Sequence, residues 1–480
     1  MKKVFLILSI LFFIVEINAQ ETLNNTKIDG FKGVWFTLGQ YSKYGDKYSG
    51  GLGTYTAKHI PLAIYAPEVN KTFFVYGGIA EGRSSNADIP EKKHASKDYG
   101  NYLLCMAACF DHKTETVSRP TVVHDKGGVY DPHDNPSIAI DPKGYVWVFV
   151  SGRGVERPGY KYRSVEPYSV DKFDLISEEE MTYPQPKYIK DKGFLHLFTK
   201  YHGVRLLYFN TSDEDGMKWT QDKQLVAIKR KTDKHAGHYQ ISGQGGDKVG
   251  FFYNWHPDGI GNRRTNIYYM QTTDFGRNWT TVENTPLNLP ITEVSNPTLV
   301  KEFFSKGENV YIKDMAFDEN GFPVALYLSG KGPEPGPENG PRQWSTIRWD
   351  GKEWVNRHIT TSNNNYDTGS LWINEKRWLV IIPSEEGPQK WGCGGEVVMW
   401  ESKDKGITWE KKKQITRNSK RNHNYIRKVV NGVDPFMYFW GDGDTNKMSI
   451  SELYFGDSKG NVWKLPYKME TQKTKPQRLN

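Results

Sequence analysis

Residues 402–409 read SKDKGITW, and this short stretch decides the fold. It recurs as TTDFGRNW at 272–279 and, with the acidic residue moved by one place, as SDEDGMKW at 212–219. Each copy has the chemistry of a tight hairpin. A Gly can take a positive-φ position, Asp and Ser/Thr side chains can bond the turn amides, and a Trp is left to pack. Trp219 to Trp279 is 60 residues, and Trp279 to Trp409 is 130, or two units of 65. Weaker copies end at Trp354 (WDGKEW) and Trp463 (DSKGNVW). A fixed period of this length marks one supersecondary unit repeated, and roughly 450 residues at that period hold seven units.

A second repeat sets the phase. A His, Tyr or Asn precedes a short β-prone run, followed by a turn and a strongly apolar strand. The units begin at His59, His133, Tyr183, His238–Tyr239, Asn296, Tyr366 and His423–Tyr425. The second strands, such as residues 145–150, 194–199 and 249–253, are apolar on both faces, as expected for strands buried between sheets. The predicted fold is all-β: a seven-bladed β-propeller of four-stranded antiparallel blades, with residues 20–480 as a single domain. Composition agrees. Gly 46 and Pro 25 are too many breakers for a helical bundle, and Trp 15, Tyr 28 and Phe 23 are too many aromatics for a disordered chain. Residues 332–341 (GPEPGPENGP) read as a stiff loop within one blade, and residues 33–39 as an added strand that closes the ring.

Residues 1–19 read as a signal peptide. Lys2 and Lys3 precede a short apolar core and a small residue suited to cleavage, so the chain is expected to be secreted or periplasmic. The apolar run is too short to span a bilayer, and mean hydropathy of −0.69 excludes a polytopic helical membrane protein. Removing the leader lowers the net charge from +8 to +7, because Lys2, Lys3 and Glu16 leave with it. That excess suits an acidic ligand. Three cysteines cannot build a disulfide framework. Cys105 and Cys109 lie on one face of a strand about 13 Å apart, too far to bond, and read as structural. Cys393 lacks the paired spacing of a zinc site.

In a propeller blade the innermost strand comes first. Loops entering it and loops joining strands two and three then share one face, while the Asp-type hairpins lie on the other. The second-to-third loops are long and polar, so the site is expected on their side. His133, Tyr183, His238, Tyr239, Tyr366, His423 and Tyr425 should ring one axial pocket. This ring is poor in carboxylates. Asp131, Asp134 and Asp367 are near it but form no opposed pair, which disfavours an ordinary two-carboxylate glycosidase. His, Tyr and Arg together suit β-elimination from a uronate. Arg153, Arg205 or Arg264 would neutralise the carboxylate, His133 or a lowered-pKa Tyr would take the α-carbon proton, and Tyr183 or Tyr239 would protonate the leaving oxygen. His238 and Tyr239 are neighbours on a strand, so only one can face the pocket. No metal or cofactor is required, although a structural Ca²⁺ low in the central channel is compatible with the fold.

Nearly the whole mature chain resembles the BNR-repeat (Asp-box) propellers grouped with secreted polysaccharide lyases. The resemblance is carried by residues 33–53, PHDNPS at 132–137, YPQP at 183–186, GHYQI at 237–241, YDTGS at 366–370 and NHNY at 422–425. It is strongest to lyases of L-rhamnose-α-1,4-D-glucuronate caps on arabinogalactan-type glycans, and ulvan lyases look like more distant cousins. It implies that His133 is the family's catalytic His, partnered by Tyr183, Tyr239 and Arg205. His59, Arg153, His238, Arg264, Tyr366, His423 and Tyr425 would contact substrate. Arg153 stands where ulvan-type relatives carry a second His. A sister group is instead an α-L-rhamnosidase with a single His, matched here to His59. A non-catalytic glycan-binding propeller is the third reading. The expected partner is an acidic polysaccharide with uronate and rhamnose, not nucleic acid or a membrane, and the chain is expected to be a monomer.

Overall fold

In a computed structural model the chain is described over residues 22–479, apart from 38, 52–57, 81–102, 128, 130 and 202–203. The signal peptide lies outside the described residues, as does most of the loop after the first blade's second strand. The described residues contain no α-helix. Five sheets have four antiparallel strands each, in chain order from the axis outward. One runs Pro136–Ile140, Val146–Val150, Gly159–Ser164 and Phe173–Glu179.

The sheets are stitched side by side through their inner strands. Ile138 N donates to Pro61 O at 2.9 Å, and Ser137 Oγ to Pro184 O at 2.6 Å. Ser242 N donates to Gln185 Oε1 at 2.9 Å, and Ile241 shares an apolar cluster with Met315. Leu371 N bonds Asp314 Oδ2 at 2.8 Å, and Ser370 Oγ bonds Ile426 O at 3.0 Å. Val430 N to Ala63 O at 2.9 Å returns the ring to its first inner strand, Ala63–Ala66. The circle is a β-propeller.

The first and last sheets depart from four strands. The first has five strands along its path and a sixth, Thr121–Asp125, paired beside it with Leu104–Asp111, and the last has five; C-terminal Lys473–Thr474 joins the first by pairing with Thr116–Ser118, and Gln477–Arg478 joins the last by pairing with Val462–Lys464. The tail thus ties the two ends of the ring. Gly33–Thr37 does not close the ring. It joins Ser449–Ser451 and Ser49–Gly51 in a separate three-stranded sheet. The fifth unit also starts later than its sequence suggests. Asn296 precedes Leu299–Lys301, the outer strand of the preceding sheet, and the inner strand is Asn309–Phe317. Two β-prone runs lie close together there, and only packing decides which turns inward. Residues 332–341 connect Pro323–Gly330 to Arg342–Trp349 within one sheet.

The turn motifs sit on third-to-fourth-strand hairpins. Gly216, Gly276 and Gly406 have φ of 72°, 80° and 80°, which L side chains rarely adopt. Asp274 Oδ1 accepts from Asn278 N at 2.9 Å, and Thr272 Oγ1 from Gly276 N at 3.0 Å. In the shifted copy Asp213 does the same for Met217 N at 2.8 Å. Trp279 packs against Phe209 and Phe251 of adjacent sheets, with ring centres 5.3 and 5.5 Å away.

Candidate active site

Three inner-strand entries and the loops beside them bring His133, Tyr183 and Tyr239 together. The first is a capped turn. Asp131 accepts from His133 N at 3.0 Å, and Pro132 begins a single 3₁₀ turn, Pro132–Asp134. The same carboxylate binds His133 Nδ1, which fixes the imidazole's orientation. Asp131 also pairs with Arg153 at 3.0 Å and Arg157 at 2.6 Å. Burial alone would raise its carboxyl pKa, but His133 and the two guanidiniums hold it well below the usual range.

Tyr183 begins the next inner strand with φ of 56°, an uncommon backbone for an aromatic residue. The strand register breaks between Thr182 and Gln185. Such a bulge re-aims a side chain. Here the Tyr183 ring lies 5.7 Å from His133, 5.5 Å from Tyr239 and 5.1 Å from His59. Its hydroxyl is 3.3 Å from that of Tyr201. Burial, with Tyr201 and Tyr239 beside it, drives its phenol well above the ordinary value.

Tyr239 has the opposite electrostatics. Burial pushes its phenol up, but Arg205, Arg264 and a hydrogen bond from Tyr183 outweigh that and leave it lowered. Arg205 and Arg264 approach the Tyr239 ring to 5.3 and 4.4 Å. Arg264 donates to Tyr366 Oη at 3.0 Å, which brings Tyr366 to the cluster's edge. Neither Arg205 nor Arg264 has a carboxylate partner among the described residues, whereas Arg153 shares Asp131. Arg205 Nε is buried without a hydrogen-bond partner among them. Two half-buried guanidiniums with no counter-charge form a receptor for an anion.

Four expected site residues stand elsewhere. His59 is 0% exposed, its ring lies behind Tyr183, and its Nε2 is 2.9 Å from His133 O. Burial pushes its pKa down to about 3, so it is a neutral support for the His133 turn and not a substrate contact. His238 is also buried, with Nδ1 3.1 Å from Asn254 O, because strand alternation turns it inward when Tyr239 faces the site. His423 accepts from Trp440 Nε1 at 2.9 Å and packs on Tyr454, within its own sheet. Tyr425 shares the left-handed backbone of Tyr183, with φ of 57°, but its hydroxyl donates to Ser49 O at 3.0 Å under the three-stranded sheet.

Sequence reading missed Tyr201, Arg157 and His256. Tyr201 and Arg157 lie on loop flanks where only the fold supplies proximity. His256 packs on Tyr239 at 4.8 Å, and its Nε2 is 3.0 Å from Asn254 Oδ1. Its place in the loop NWHPDG was the available signal. Among the described residues no group of three His, Cys, Asp or Glu side chains could hold a metal ion. Cys393 bonds Ser49 O at 3.0 Å, and all three cysteines are free. The cavity at the other end of the axis is lined by Lys187, Lys313, Arg427 and Lys428 together with Asp314, Asp318 and Glu319.

Fold and site together define a β-propeller with an anion-receiving His–Tyr–Arg cluster at one end of its inner strands. Residues 91–362, more than half of the chain, match the BNR repeat-containing family, and the protein belongs to it. An ulvan lyase of Alteromonas sp. (strain LOR) is 25% identical over 316 residues, covering 58% of this chain and 63% of the relative. One from Nonlabens ulvanivorans is 24% identical over 313 residues, covering 59% and 65%. The chain thus spans slightly under two thirds of these curated relatives. A solved polysaccharide lyase of family PL25, an ulvan lyase bound to -[GlcA(1-4)Rha3S]-, superposes with a TM-score of 0.68 at 16% identity. That match covers 90% of this chain and 96% of the other, and it is a likeness of fold.

Proposed function

We propose that the protein is an exported polysaccharide lyase that cleaves a uronate-containing glycan by β-elimination. The observation that carries this reading is the Tyr239 phenol set between Arg205 and Arg264, two guanidiniums without a carboxylate partner among the described residues. The ulvan lyase relatives support the same class. A uronate carboxylate on the two guanidiniums would have its charge neutralised, which acidifies the adjacent C5 proton. Tyr239, as phenolate, accepts that proton. The electron pair forms the C4–C5 double bond, and the C4–O bond breaks. The leaving oxygen takes a proton from Tyr183, whose high phenol pKa keeps it protonated, or from His133, which Asp131 orients.

Within that class we assign the L-rhamnose-α-1,4-D-glucuronate linkage of arabinogalactan-type glycans, on the sequence resemblance. Elimination there frees rhamnose and leaves an unsaturated glucuronate. Incubation with rhamnose-capped arabinogalactan, read by ultraviolet absorbance of the unsaturated uronate and by rhamnose assay, tests both levels. Absorbance on ulvan but not on arabinogalactan keeps the lyase and rejects the linkage. Rhamnose release without absorbance rejects elimination and favours the rhamnosidase, a reading that the burial of His59 disfavours. Binding without bond cleavage leaves a glycan-binding propeller.

A further inference from the structure

The far end of the axis holds a second charged site. A cavity of about 1020 Å³ opens among the late residues of the inner strands and the hairpins that follow them. Those hairpins share a face with the Asp-type turns, so the cavity is at the opposite end from Tyr239. Its wall is apolar at Ile64 and Ile138 and charged at Lys187, Lys313, Arg427 and Lys428 against Asp314, Asp318 and Glu319.

Most of these charges are held by other groups: Lys313 Nζ donates to Asn365 O at 2.7 Å, Asp318 accepts from Asn320 N and Phe322 N at 2.9 Å each, and Glu319 pairs with Lys405. Asp314 bonds Lys428 Nζ at 3.0 Å and accepts from Leu371 N at 2.8 Å and Met315 N at 2.8 Å. Lys428 Nζ also donates to Met315 O at 2.6 Å and Leu371 O at 3.3 Å. That pair is satisfied. Lys187 is only 9% exposed, and its ammonium has no hydrogen-bond or carboxylate partner within bonding distance among the described residues. Arg427, 4% exposed, also lines the cavity, with its guanidinium 5.9 Å from the Tyr425 ring. A largely buried ammonium that reaches a cavity with no acceptor of its own is completed by an anion there. Burial first, and then Lys428, lower the Lys187 pKa to about 7, with Asp314 opposing.

We propose that this end of the channel binds a small oxyanion of the sulfate and phosphate class, seated on the Lys187 ammonium. Such an anion is small enough for the cavity and supplies the acceptors that Lys187 lacks. It could arrive as a free ion or as a sulfate ester on a glycan.

The test is thermal unfolding of the full mature chain in sodium sulfate against sodium chloride at matched ionic strength. Sulfate stabilises most proteins weakly by exclusion from their surface, so a saturable rise in Tm is the signature. The parent is expected to saturate in the millimolar range. Lys187→Met is expected to lose the saturable part, with apparent affinity weaker by roughly tenfold or more, and to be at least as stable as the parent in chloride. Lys187→Arg keeps the charge and should retain saturation, which covers the case in which Lys187→Met fails to fold. Glucose 6-sulfate separates the sources: saturation with it supports an ester at the channel mouth, and saturation with inorganic sulfate alone supports a free ion. No saturable rise in the parent, or an unchanged rise in Lys187→Met, overturns the proposal.

Discussion

Replacing Tyr239 with Phe tests the chemistry most directly. The substitution removes one oxygen and keeps the ring. The ring keeps its contacts with His256 at 4.8 Å, Tyr183 at 5.5 Å, Arg264 at 4.4 Å, Arg205 at 5.3 Å and Lys58 at 5.7 Å. Folding should therefore be little changed, and the lost hydrogen bond from Tyr183 costs only about 1 kcal/mol. Catalysis should suffer far more. A positioned base contributes roughly 10²–10⁴-fold, or about 3–5 kcal/mol of barrier at 1.36 kcal/mol per decade. The assay is initial-rate absorbance of the unsaturated uronate, with Tm measured beside it. A companion variant, Arg264→Met, adds a pH signature. A base must be deprotonated to act, so activity rises with pH through the Tyr239 pKa, which Arg205 and Arg264 hold below the ordinary phenol value. Without Arg264 that rising limb should move to higher pH. If Tyr239→Phe keeps kcat within tenfold of the parent, or the limb stays in place in Arg264→Met, Tyr239 is not the base.

Three further outcomes are expected. Asp131→Asn should lower kcat by roughly 10²-fold, with KM little changed, because the His133 imidazole loses its orienting carboxylate. The Asp131 carboxyl is depressed in the folded state, so its contribution to stability is present above an unfolded pKa of about 4 and lost as pH falls. Acid unfolding curves of Asp131→Asn should accordingly be flatter in that region. Arg205→Lys should raise KM by roughly tenfold or more, since a point charge cannot replace a planar fork, and substrate-saturation kinetics measure it. Trp279→Ala should cost about 3–5 kcal/mol in urea unfolding, because a 2%-exposed indole between two sheets is removed.

Much of the ring was legible because its signals are local. A Gly at φ of 80° and an Asp three or four residues before the amides it caps are properties of eight consecutive residues. The unit that began at Asn296 failed for the converse reason: two β-prone runs stand near each other, and pairing with Pro323–Gly330 selects the later one. His133, Tyr183 and Tyr239 were named from phase and Arg205 and Arg264 from the charge a uronate needs, and the fold brings them together. His423 and Tyr425 share that phase but face a different neighbourhood. The three-stranded sheet beside them, built from residues 33–37, 49–51 and 449–451, covers Tyr425.

By itself the sequence determined the repeat, its period, the β class and the short list of His, Tyr and Arg that enter the axis, because hairpin chemistry and strand alternation act over a few residues. Only the tertiary structure decided which of them meet in one cluster. His59 and His133 begin equivalent strands, yet one is buried and neutral behind Tyr183 while the other is held by Asp131. Arg153 and Arg205 are both loop-side cations, yet only Arg205 lacks a carboxylate partner among the described residues. Charge pairing and desolvation depend on distances between residues dozens or hundreds of positions apart, and those distances exist only once the ring has closed.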